Sequence, residues 1–141
     1  MGQVIAKFAP SQRRLVGAVR RWLRKRLPTA HEVVYEYKGF FVISFSPNER
    51  GYEGVFAIRA SENGVRLYFN RGKRLPDPAK LLQGSATQTR WIQLEDRSTL
   101  ADPAVARLVE AAIARNRVPF APIGRGSVVI RSVTAKQRRS T

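Results

Sequence analysis

Apolar residues recur three and four apart near the start of the chain, at Leu15, Val16, Val19, Trp22, Leu23 and Leu27. This spacing predicts an amphipathic helix from a Ser11 cap to about Leu27, ended by Pro28 because the residue before proline is pushed out of the α region. Arg13, Arg14, Arg20, Arg21, Arg24 and Lys25 fill its other positions. Arg20/Arg24 and Arg21/Lys25 are like-charge pairs at i,i+4, each costing on the order of a few tenths of a kcal/mol, and no acidic residue is expected to relieve them. The period then changes to two. His31–Tyr37 sets Val33, Tyr35 and Tyr37 on one face against Glu36 and Lys38 on the other, and Lys38-Gly39 turns the chain into Phe40–Phe45. That segment is apolar on both faces, as a central strand is. After a polar loop at 46–54, Val55–Ala60 and Val65–Phe69 read as a hairpin through Glu62-Asn63-Gly64. Asp77-Pro78 reads as cap and first residue of a short helix to about Gln83, and Thr89–Leu94 as a fifth strand. Asp102-Pro103 repeats the cap signal before Val105, Leu108, Val109, Ala112 and Ile113, which share one face of a helix ending near Asn116. The expected fold is α+β: a two-layer sandwich of about five antiparallel strands, with N- and C-terminal helices on one face.

At 141 residues, 43% apolar, the chain suits one domain with a true core. Residues 1–116 form the expected α+β domain, basic N-terminal helix included. Residues 117–141 form a basic extension with room for one edge strand at Val128–Val133 before a loose tail. There is no cysteine, hence no disulfide, thiolate ligand or thiol nucleophile. Residues 1–10 lack the apolar core of a signal peptide, no apolar run approaches the ~18 residues of a membrane span, and Ala6 disfavours a myristoylation signal. The expected location is the cytoplasm. The formal charge of +16 divides into +8 over residues 1–27, +2 over 28–116 and +6 over 117–141. A nearly neutral body between two cationic ends suggests an anionic partner: nucleic acid first, or an acidic protein or anionic lipid. Solvated arginine without any partner is the competing explanation.

The stretch FNRGKRLPDPAKLLQGS at 69–85, then Arg90-Trp91-Ile92-Gln93-Leu94 and the Asp102-Pro103 helix, resembles the YdhG-like family of small bacterial domains of unknown function. Val33-Val34-Tyr35 and Tyr37-Lys38-Gly39-Phe40 are similar in kind, and the likeness covers roughly residues 15–116. The resemblance implies the same α+β sandwich. Some relatives are described as frataxin-like iron chaperones, which makes iron handling an alternative function.

Iron delivery of that kind needs an acidic ridge. His31 is the one histidine, and the nearest acid groupings are Glu95-Asp96 and Glu49 with Glu53, in a chain whose charge repels Fe²⁺. No base stands near Ser11, Ser44, Ser46 or Ser85 in sequence, so no nucleophile–base–orienter set is evident, and an enzyme is not expected. No cofactor is expected either. Candidate polyanion contacts are Arg13, Arg20, Arg21, Arg24 and Lys25 on the helix, and Lys73 and Arg74 before the Asp77-Pro78 helix start. Arg66 and Tyr68 on one strand face, with Arg90 or Trp91 beside them, and Arg138 and Arg139 in the tail complete the set. Each has an ordinary alternative: a core helix with a wet face, glycine turns already capped by Asp77, or aromatics covering a second small core. A protein-interaction module remains a third class of function.

Overall fold

Helix α1 (Pro10–Arg26) is followed by strands β1 (His31–Tyr37) and β2 (Phe40–Ser46), then β3 (Phe56–Ser61) and β4 (Gly64–Phe69). A 3-10 turn at Gly72–Arg74 precedes β5 (Arg90–Leu94), and another at Arg97–Ala101 leads into helix α2 (Pro103–Ala114) and finally β6 (Val128–Ser132). The computed structural model describes residues 10–50, 54–116, 118 and 120–132. Its six strands form one open sheet in the order β5-β4-β3-β2-β1-β6. Neighbours from β5 to β1 are antiparallel, and β6 joins β1 in parallel. The α+β class agrees with the sequence, but the sheet has six strands rather than five and is mixed rather than purely antiparallel.

Register gives the two faces their identities, since side chains along a strand alternate. Val34, Phe41, Ile43, Phe45, Phe56, Ile58, Ala60, Val65, Leu67, Phe69, Ile92 and Leu94 share one face and one core. Leu15, Val16, Val19 and Leu23 of α1 and Val105, Leu108, Val109 and Ala112 of α2 belong to the same core. Both helices therefore cover this face. Val33, Tyr35 and Tyr37 point together to the other face, the alternation expected of β1, while Glu32 and Val34 face the helices and are fully buried.

Hairpin turns follow their sequences. Tyr37 pairs with Phe40 across Lys38-Gly39, where Gly39 has φ +86°, a left-handed value that favours glycine. Ser61 pairs with Gly64 across Glu62-Asn63. Asp102 caps α2 by accepting from the Ala104 N–H at 2.9 Å, with Pro103 in the first turn. The similar Asp77-Pro78 signal gives no helix, contrary to expectation. Asp77 instead accepts the N–H groups of Leu81 and Leu82 at 2.9 and 2.8 Å, and Lys80 takes a left-handed φ of +55°. One carboxylate thus closes a compact loop whose far end bridges Gln83 to Trp91. No helix among the described residues is long and apolar enough to cross a membrane.

Candidate functional site

On the face away from the helices, strand pairing lines residues up in rows. One row runs Arg131, Tyr35, Val42, Arg59, Arg66, Gln93 from β6 to β5. The next runs Val129, Val33, Ser44, Ala57, Tyr68, Trp91, and a shorter one holds Tyr37, Phe40, Ser61 and Gly64. Strand neighbours lie about 4.8 Å apart. Three arginines and five aromatic rings occupy these rows, and no strand residue among them is acidic. Glu32 and Glu36 both project from β1 to the helix face. Glu49 lies in the loop at one end, where its carbonyl accepts from Arg131 at 3.4 Å and its carboxylate from Ser127 Oγ at 3.2 Å.

The arginines are propped on rings. The Arg66 guanidinium lies 3.8 Å from the Trp91 ring centre, and that of Arg59 lies 4.4 Å from Phe40. Arg66 Nε donates to Gln93 Oε1 at 3.1 Å, and its terminal nitrogen reaches the Tyr68 hydroxyl at 3.5 Å. Tyr68 and Trp91 are 6.3 Å apart centre to centre, while Tyr37 stacks on Phe40 at 4.4 Å. Arg59 Nε is buried with no hydrogen-bond partner. Burial alone would raise the Tyr68 phenol, but hydrogen bonds and charge from Arg66 and Arg59 outweigh it and hold the pKa below the usual 10. Arg59 and Arg66 are directly opposite one another across β3 and β4, a like-charge placement that destabilises a sheet unless an anion intervenes.

The candidates named from sequence separate into several places. Arg66 and Tyr68 do share this face, and the neighbour that joins them is Trp91; Arg90 pairs beside Phe69 and faces the other way. Arg59, Arg131 and Phe40 were missed, although alternation along β3 and β6 would have placed the two arginines once the strand order was known. Arg13, Arg21 and Lys25 are exposed on α1. Arg20 is not free: it holds Glu32 through two hydrogen bonds, Nε to Oε1 at 3.0 Å and a terminal nitrogen to Oε2 at 2.6 Å. Arg24 lies 4.0 Å from the same carboxylate and donates weakly to the Ala30 carbonyl at 3.4 Å. The expectation that no acid relieves these arginines is therefore corrected, because the acid comes from β1, twelve residues on. Lys73 and Arg74 are exposed in the 3-10 turn, not at a helix start, since no helix follows. Arg138 and Arg139 lie outside the described residues.

His31 has a structural task. Its Nδ1 accepts the Ser127 N–H at 3.1 Å and lies 2.8 Å from the Ser127 hydroxyl, tying the approach of β6 to the start of β1. Among the described residues no three His, Cys, Asp or Glu side chains gather as metal ligands. No protein-family model, curated protein or solved structure matches the chain.

Proposed function

We propose that the helix-free face of the sheet binds single-stranded nucleic acid, with arginines on phosphates and aromatic or guanidinium planes under the bases. The observation that carries this reading is the Arg59–Arg66 pair, set side by side on strand rows without a described acid, with each guanidinium over an aromatic ring. Such a pair is unfavourable alone and favourable around a phosphate. Aromatic rings and arginine guanidiniums on one sheet face are groups on which bases stack, a sequence-tolerant way to hold them. A duplex hides its base faces, so the same surface favours single strands. The YdhG-like resemblance of residues 69–85 adds no ligand to this reading, and no observation at His31 or the acidic loops favours the iron-handling alternative.

Tryptophan fluorescence tests it. The chain has two tryptophans, Trp22 and Trp91, so a Trp22→Phe variant reports on Trp91 alone. Protein freed of nucleic acid by nuclease and high salt should show saturable quenching with a single-stranded oligonucleotide, and weaker quenching with the matching duplex. Absence of quenching and of any binding at low salt would reject the proposal. Equal affinity for duplex would move the contact from base stacking to phosphate alone.

A further inference from the structure

A cavity of about 640 Å³ opens on the other side of the sheet, where the end of β4, the Gly72–Arg74 turn and the last turn of α2 meet. That volume is within the range of small-molecule sites, roughly 300–1,000 Å³. Its apolar wall includes Val55, Leu75 and Ala112, and its polar lining includes Arg71, Arg74 and Arg115. Among the described residues no acidic side chain lines it. None of these three guanidiniums is paired with a carboxylate or donates to a carbonyl among the described residues.

The backbone that carries Arg71 and Arg74 is fixed on both sides. Asn70 spends its side-chain N–H on the Gly54 carbonyl at 2.6 Å and its backbone N–H on Val55 at 3.0 Å, fixing one wall. Lys73 N–H donates to the Gln88 carbonyl at 3.0 Å, and Gly72 is pressed so closely on β5 that an added Cβ would lie 2.6 Å from Arg90 Cβ. Arg71 and Arg74 stand at the two ends of the short 3-10 turn, and both line the cavity. Arg115, at the C-cap of α2, comes from across the cavity. The negative end of α2 attracts cations and accounts for part of this charge, but an arginine serving only as a helix cap would donate to the last carbonyls, and these do not.

We propose that this cavity binds a small organic phosphate of about mononucleotide size, its phosphate held by Arg71, Arg74 and Arg115 and its organic part against Val55, Leu75 and Ala112. The proposal uses no residue of the helix-free face, so either can fail without the other. The test is backbone-amide NMR of the full chain titrated with adenosine 5′-monophosphate, with adenosine and inorganic phosphate as partial ligands. The nucleotide should give saturable shifts centred on Arg71, Arg74, Gln88 and Arg115; adenosine should give none there, and inorganic phosphate weaker ones. Arg71→Gln/Arg74→Gln should weaken binding by at least about tenfold, the equivalent of one charge-assisted hydrogen bond. The charge-matched Arg13→Gln/Arg21→Gln change on exposed α1 should leave the affinity unchanged. Shifts confined to Tyr68 and Trp91, no saturable shift, or equal weakening by the α1 variant would each overturn the assignment.

Discussion

Glu32 is fully buried, and its charge is met by Arg20 and, at longer range, Arg24. Removing one partner of a buried pair leaves an uncompensated charge, which typically costs about 3–5 kcal/mol. Arg20 remains partly solvated and Arg24 is at hand, so Arg20→Gln is expected to lower stability by about 2–3 kcal/mol. Arg21→Gln, on the exposed face, should stay within about 0.5 kcal/mol. Urea unfolding of both variants checks this, and equal midpoints would contradict the pairing. Tyr68 offers a second check. Its phenol is held below 10 in the folded protein, so its contribution to stability appears as pH rises through the folded pKa, is complete above the unfolded value near 10, and is lost as pH falls. An ultraviolet titration should show one tyrosine ionising early, and Tyr68→Phe should abolish that step. Arg66→Gln should move it upward, since burial would then act with less opposition. These residue-level facts were only half legible in the sequence. Alternation put Arg66 beside Tyr68, but the partner of Arg20 lies beyond a turn, on a strand buried on both faces, where Val33 and Val34 gave no clue to which side met the helix.

Among the elements, the hairpins and α2 were legible because short-range chemistry decides them: Lys38-Gly39, Asn63-Gly64 and the Asp102 cap. Asp77-Pro78 carries the same letters as Asp102-Pro103 and behaves differently. Beyond Pro103 a run of apolar residues rewards a helix by packing on the sheet, while Leu81 and Leu82 pack at the core's margin from a loop. The parallel pairing of β6 could not be read locally, since it depends on a chain that passes from α2 back along the edge of β1. Gly126 makes that passage possible: a Cβ there would fall 1.7 Å from the Ala30 carbonyl oxygen. Gly126→Ala must push the segment off the β1 edge. Amide exchange over Val128–Ser132 should accelerate strongly while β2, β3 and β4 keep their protection. Unchanged exchange in β6 would show that the close approach is not what seats the strand.

For the molecule as a whole, the sheet divides two cationic surfaces. Arg13, Arg14, Arg21 and Lys25 project from α1 on one side, and Arg59, Arg66 and Arg131 stand among aromatics on the other. Net charge alone cannot choose between them, which is why composition pointed to a polyanion without locating it. The salt dependence of binding can choose. For single strands, log K falls with log salt by about 0.7 per phosphate contacted. The decisive measurement is the affinity of a single-stranded oligonucleotide across a salt series for the parent, for Arg59→Gln/Arg66→Gln and for Arg14→Gln/Arg21→Gln, the last two having equal net charge. The sheet variant should bind more weakly and lose up to about 1.4 from the slope, while the α1 variant stays close to the parent. A flattened slope in the α1 variant with an unchanged sheet variant would contradict binding at the sheet face.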